Sequence, residues 1–204
     1  MALEKRGNRL ILKGKAINSI DREVLGFIKL FDHNYVIISG YIPIALGRGR
    51  TTEDIDMFVE FKDKTDFHKF YEKMRKNGYN MLNGESEEDA YDLLSEGLSL
   101  RVIKGDEVFP NLEMKFPKKA SDFYSMEHKI ILEFGVASIL ISPLELQIAY
   151  KLYLGSDKDY EDARYIYDFA KNILVAKKLK QFIKELKIKH ATVRSILGVE
   201  IGKE

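Results

Sequence analysis

The chain has 204 residues, 45% of them hydrophobic, enough to bury a core of its own and too few for two large domains. Its 33 basic and 32 acidic side chains leave a formal charge of +1, which excludes a protein that coats polyanions through global charge. With no cysteine there is neither a disulfide framework nor a thiolate zinc site, and the four histidines show no metal-ligand spacing.

The opening segment MALEKRGNRLILKGK has no signal-peptide core, and no later run is long and apolar enough to span a membrane, so a cytoplasmic location is expected. Asn18 to Phe31 reads as a helix with Leu25, Ile28 and Phe31 on one side, leading into a strand at Tyr35. That strand ends in Ser39-Gly40, a short helix is expected at Tyr41 to Leu46, and after a Gly/Arg-rich loop Asp54-Ile55-Asp56 opens a second strand. Past Phe61, Thr65 is placed as the cap of a helix that runs to about Lys76 and stops at Asn77-Gly78. A shorter helix is expected from Ser86 to Ser95. Strands follow near Leu98 to Ile103, Leu112 to Phe116, Ile130 to Phe134 and Ala137 to Ile141, with a hairpin turn at Gly135. Ser142-Pro143-Leu144-Glu145 reads as N-cap, N1 proline and N3 acid, and everything after it is expected to be helical.

The chemistry concentrates between Tyr35 and Phe61. Residues i and i+2 of a strand share a face, so Asp54 and Asp56 project together, and their repulsion is relieved by a hard, oxygen-seeking cation such as Mg²⁺. Two solvated carboxylates at a strand end are the alternative reading of the pair alone. The Ser39-Gly40 turn and the following helix N-terminus offer backbone N–H groups and a partial positive charge to an anion. Arg48 and Arg50 stand on the loop between helix and carboxylate strand. Arg50 could neutralise phosphate, whereas Arg48 reads better as a solvated loop residue or a partner of Glu53. Thr52 is either part of the site or a turn residue bonding the local backbone. Glu113, between apolar neighbours in NLEMKFP, is the choice for a third carboxylate on a neighbouring strand, with Glu133 as its rival.

Strand, small-residue turn, helix and D-x-D on the next strand together resemble the nucleotidyltransferase (polymerase-beta-like) superfamily. The wording is closest to a prokaryotic branch reading roughly GGYA, a later glycine, then R-x-T-x-D-I-D. Ser39, Gly40, Tyr41, Gly47, Arg50, Thr52, Asp54 and Asp56 fall on that pattern without a gap over about thirty residues, with serine in place of the first glycine. The resemblance implies an α/β fold, a nucleotidyltransferase-like mixed sheet with flanking helices in residues 1–141, and a C-terminal helical subdomain in 142–204 that closes the cleft. It also implies that Asp54, Asp56 and Glu113 hold Mg²⁺, two ions in all, and that Ser39, Gly40, Arg50, Thr52, Asp159 and Asp162 contact the nucleotide.

The helix beginning at Leu144 is apolar on nearly every side, with Gln147 and Lys151 as its polar strip. In the next helix Asp159 and Asp162 begin an apolar face, while Glu161, Arg164 and Asp168 lie opposite. Ion pairing with Lys151 would by itself explain these acids. The resemblance adds a functional reading: a lysine followed by an R-D-x-x-D-x-x-D-like stretch, matched by Lys151, Asp159 and Asp162. The branch's arginine is missing, Ser156-Asp157 standing in its place. Lys177 to Lys189 is a basic stretch, KKLKQFIKELKIK, which reads as a surface helix or as a footprint for RNA.

Two functional classes follow. One is an enzyme that moves a nucleoside monophosphate from an NTP to an acceptor hydroxyl, with Asp54 and Asp56 at the metals, Glu113 activating the acceptor and Lys151 steadying the triphosphate. Similar proteins include nucleotidyltransferase-like toxins of toxin and antitoxin systems, some acting on tRNA, so RNA and a cognate antitoxin are the implied partners. The other class is a catalytically inactive nucleotide- or RNA-binding module of the same fold, the reading that Ser39 keeps open.

Overall fold

The computed structural model describes residues 1–31 and 34–200. The last four positions of the expected C-terminal helical region, 201–204, lie outside them.

β1 (Ala2–Arg6) and β2 (Arg9–Lys13) form an opening hairpin, followed by α1 (Ser19–Ile28). Next come β3 (Asn34–Ile37), α2 (Tyr41–Ala45), β4 (Asp54–Glu60) and α3 (Lys64–Lys76). β5 (Tyr79–Met81), α4 (Glu87–Glu96), β6 (Leu100–Lys104) and β7 (Glu107–Lys115) lead to α5 (Ala120–Glu127). β8 (Ile130–Phe134) and β9 (Ala137–Ile141) form a second hairpin, and α6 (Leu144–Leu154), α7 (Asp157–Ala170), α8 (Ala176–Glu185) and α9 (His190–Leu197) end the described chain.

The strands make one mixed sheet in the order β1-β2-β8-β9-β3-β4-β7-β6-β5. β4 therefore runs near its centre, antiparallel to β3 on one side and parallel to β7 on the other. Its residues alternate: Ile55, Met57 and Val59 are fully buried, while Asp54, Asp56 and Phe58 point to the other, half-open face. Each of the three apolar side chains contributes about 1.5–3 kcal/mol through burial, which fixes the register and so fixes which face carries the acids. An aromatic seam of Phe27, Phe31, Phe61, Phe67, Phe70 and Tyr91 joins α1, α3 and α4.

Several local expectations change. α3 is capped by Asp63, whose carboxylate accepts from Asp66 N at 2.8 Å, so Thr65 lies inside the first turn. Pro143, not Ser142, stands at the N-cap of α6, and the Ser142 hydroxyl instead meets that of Ser125 at 2.9 Å. Strand β6 starts at Leu100 rather than Leu98, and β7 extends back to Glu107. Strands β1, β2 and β5 and helix α5 were not foreseen in the sequence. Among the described residues no helix is long and apolar enough to cross a membrane.

Candidate active site

β3 runs out at Ile37, and the chain turns at Ser39-Gly40 into α2. Ser39 has φ +59°, in the left-handed region where glycine is unstrained and a side chain is not, which explains why a glycine at this position would be natural. Gly40 has an ordinary φ of −66° but a different constraint: a Cβ there would stand 3.2 Å from the Arg50 guanidinium and 3.4 Å from Thr52 Oγ1. The turn is held from both sides. Ile38 N donates to Asp56 O at 3.0 Å, and Ser39 N donates to the Gln147 side-chain oxygen of α6 at 2.9 Å. Below α2, the buried Tyr41 hydroxyl donates to Asp21 Oδ1 at 2.7 Å, and Asp21 also closes the capping box of α1 and pairs with Lys15.

The carboxylates meet where β4 and β7 pair. Asp54 is in register with Asn111 and Asp56 with Glu113, so Asp54, Asp56, Asn111, Glu113 and Lys115 share a face. Burial raises the Asp56 carboxyl above its ordinary range, and the charges of Asp54 and Glu113 add to this against the opposing pull of Lys115. Burial also acts on Glu113, yet hydrogen bonds from Lys115, Ser99 and Arg101 outweigh it and hold that carboxyl below its ordinary range. The distances are 2.5 Å to Lys115 Nζ, 2.8 Å to Ser99 Oγ and 3.1 Å to Arg101 Nε. Lys115 also lies 3.7 Å from Asp56, and its two acidic partners outweigh burial and raise its own pKa. Thr52 Oγ1 donates to Asp54 O at 2.9 Å and lies 3.4 Å from Asp54 Oδ1. Glu133, the rival third acid, sits three strands away from β4 on β8, paired with Arg9 at the surface.

A second cluster joins the loop before β4 to the C-terminal helices. Asp162, fully buried in α7, accepts from Arg50 Nε at 3.0 Å and Arg50 Nη2 at 2.8 Å, from Lys151 Nζ at 2.8 Å, and from Arg48. Arg48 thus bridges to Asp162 and Glu161, neither solvated nor paired with Glu53 as the sequence suggested. Arg50 Nη2 also donates to Gly40 O at 2.8 Å, which ties the Ser39-Gly40 turn to the cluster. Lys151 is almost wholly buried and pairs with Asp159 at 3.0 Å. Ser156, at the place of the missing arginine, caps α7 by accepting from Asp159 N.

Sequence reasoning passed over Lys115, Arg101, Ser99 and Asn111. The i+2 spacing of Lys115 from Glu113 was a visible signal, since it places the ammonium beside the acids. Among the described residues, no group of three or more Asp, Glu or His side chains is arranged to hold a metal ion by itself, and Lys115 stands between two of the acids. The donor set still suits a hard cation: Asp54, Asp56 and Glu113 offer carboxylate oxygens on one face, and the buried Asn111 Oδ1 beside them has no hydrogen-bond partner.

No protein-family model matches the sequence, and no curated protein does. Comparison of the fold does find relatives in shape. A nucleotidyltransferase-like protein from Paracoccidioides brasiliensis superposes with a TM-score of 0.51 at 13% identity, covering 94% of this chain and 96% of its own. ANT(2'')-Ia in complex with adenylyl-2''-tobramycin gives a TM-score of 0.51 at 14% identity, covering 83% of this chain and 95% of its own. The chain has a nucleotidyltransferase-like fold. At these identities the likeness concerns architecture.

Proposed function

We propose that the protein is a nucleotidyltransferase that moves a nucleoside monophosphate from an NTP to an acceptor hydroxyl with the help of Mg²⁺. The observation that carries this reading is the pairing of β4 with β7, which sets Asp56 beside Glu113 on the face next to the Ser39-Gly40 turn. An anion-facing turn and a carboxylate cluster on adjacent strands are the two halves of a phosphoryl-transfer site.

In this reading Asp54 and Asp56 hold the cation, with Glu113 and Asn111 as the further oxygen donors on the same face. Bound there, Mg²⁺ supplies Lewis acidity and neutralises triphosphate charge. The turn at Gly40 and the N-terminus of α2 receive the phosphates. The acceptor oxygen forms a bond to the α-phosphorus, the bond from that phosphorus to the bridging oxygen breaks, and pyrophosphate leaves with the electron pair. Glu113, kept ionised by Ser99, Arg101 and Lys115, accepts the hydrogen bond of the acceptor hydroxyl, orients it and takes up its proton as the new bond forms. Thr52 fixes Asp54.

Lys151, Asp159 and Asp162 act as positioning residues: Lys151, paired with Asp159, holds Asp162, Asp162 holds Arg50, and Arg50 holds the Gly40 carbonyl. The described residues 142–200 carry this support as a helical unit that walls the cleft. An RNA or tRNA acceptor, and a role as a toxin with a cognate antitoxin, rest on the sequence resemblance around R-x-T-x-D-I-D.

The test is incubation with Mg²⁺, each α-labelled NTP in turn and total RNA. Label should pass to acceptor with release of pyrophosphate, and Asp54→Asn or Asp56→Asn should reduce transfer by about 10³-fold or more while the fold persists. Transfer at wild-type rate by both variants would exclude the site.

A further inference from the structure

The shared face of β4 and β7 differs sharply between its two ends. Toward the later residues, Lys115 stands against both acids, its Nζ 3.7 Å from Asp56 Oδ1 and 2.5 Å from Glu113 Oε1. Glu113 is engaged further: Oε1 also accepts from Ser99 Oγ at 2.8 Å, and Oε2 accepts from Arg101 Nε at 3.1 Å. Of the roughly four lone-pair directions of a carboxylate, that leaves one, enough for a hydroxyl. A divalent ion between Asp56 and Glu113 would have to share their oxygens with an ammonium and a guanidinium, and like charges so close repel strongly away from bulk water.

The end where the two strands begin has the opposite character. Asn111 is in register with Asp54 and is 7% exposed. Its amide nitrogen donates to Glu53 O at 3.1 Å, and because a carbonyl oxygen can only accept, this bond fixes which atom of the carboxamide is the oxygen. That oxygen, Oδ1, is buried and has no hydrogen-bond partner among the described residues. A buried amide oxygen without a donor is costly, and a hard cation satisfies it as a donor would. Asp54 beside it is met by the Thr52 hydroxyl and, among the described residues, pairs with no basic side chain.

We infer that the site takes one divalent cation, against the two that the sequence resemblance implies: Asp54, Asp56 and the Asn111 amide oxygen hold the ion, and the Lys115 ammonium stands in place of a second ion between Asp56 and Glu113. The inference rests on the nucleotidyl-transfer reading and divides its donor set, giving Asn111 to the ion and Glu113 to the lysine and the acceptor hydroxyl. A lysine there supplies a fixed positive charge beside the acceptor oxygen, where a bound ion would otherwise be needed.

The test counts Mn²⁺, a spectroscopically visible substitute for Mg²⁺, on the whole protein with a non-hydrolysable NTP held below the protein concentration. Titration followed by electron paramagnetic resonance should reach one ion per wild-type complex. Lys115→Met should reach two, and that pair should show the spin–spin broadening of ions about 4 Å apart. Lys115→Gln takes its place if the methionine variant does not fold. Asn111→Leu, or Asn111→Ala should leucine prevent folding, should keep the count at one and weaken Mn²⁺ binding by about tenfold. Two ions on the wild type, both lost in Asp54→Asn, overturn the inference and leave nucleotidyl transfer standing. A count that stays at one in the Lys115 variants also overturns it, because the lysine then replaces nothing. Undiminished affinity in the Asn111 variants removes the amide from the ligand set and overturns that half. Mn²⁺ bound equally by wild type and Asp54→Asn overturns both readings at once.

Discussion

Asp56 carries the electrostatic tension of the site. Burial and the neighbouring Asp54 and Glu113 charges push its carboxyl up, against the pull of Lys115 and a hydrogen bond from Ser39. A raised folded-state pKa means that the folded chain holds this proton more readily than the unfolded chain, so the group's ionisation costs more stability as pH rises from 3.8 through the raised value. Asp56→Asn removes that cost, and the variant should melt higher than wild type at neutral pH without divalent cations. Added Mg²⁺ should raise the wild-type melting temperature and leave that of Asp56→Asn nearly unmoved. Equal stabilisation of both proteins by Mg²⁺ would show that the cation binds elsewhere. Serine at position 39 fits the same local logic: it accepts backbone strain at φ +59° while its hydroxyl bonds Asp56 and lowers that carboxyl slightly.

Among the elements, the turn between β3 and α2 is the most tightly determined. A Cβ at Gly40 would meet the Arg50 guanidinium at 3.2 Å, and Arg50 cannot move aside because Asp162 holds it through two nitrogens. Gly40→Ala should therefore destabilise by about 1–3 kcal/mol, the usual range for overpacking, measurable as a lower denaturant midpoint at unchanged slope. A neutral result would mean that Arg50 is free to shift. Elements with strong local signals were legible in the sequence: the alternation of β4, the Asn18 start of α1, the Gly135 hairpin and the apolar α6. Others lacked such signals. β5 has only three residues, α5 has Lys119 rather than a capping hydroxyl at its N-cap, and Asp63 precedes Thr65 as an equally good cap. In the site, the shared face of Asp54 and Asp56 followed from strand period alone. The partners of Arg48 and Arg50 did not, because Asp162 is more than a hundred residues away in sequence and a charge pair carries no local signature.

For the whole molecule, Asp162 is the point at which the C-terminal helices are fastened to the sheet. Its carboxylate is fully buried and faces Arg48 and Arg50 from the loop before β4 and Lys151 from α6. Burial would raise its pKa, but Arg50 and Lys151 outweigh that and hold it below the ordinary aspartate value of 3.8. A depressed folded-state pKa means that the unfolded chain takes up the proton first. Stability from this cluster is therefore complete above 3.8 and is lost as pH falls through the lower folded value. Glu113, also depressed, works in the same direction, and Asp56 opposes both. Asp162→Ala would leave three cations around a buried gap and should cost roughly 3–5 kcal/mol at neutral pH. Asp162→Asn keeps the shape but not the charge, so it should lose less to packing and should show a flatter fall in stability below 3.8 than wild type. Denaturant unfolding of the three proteins, at neutral pH and again below that value, separates the contributions. A loss under about 1 kcal/mol in Asp162→Ala would reduce the cluster to the weight of a surface ion pair. The attachment of the helices would then have to come from apolar packing through Ala163, Ile166 and Ala170 of α7, together with the Gln147 bond to Ser39 N and the Tyr165 bond to Leu46 O.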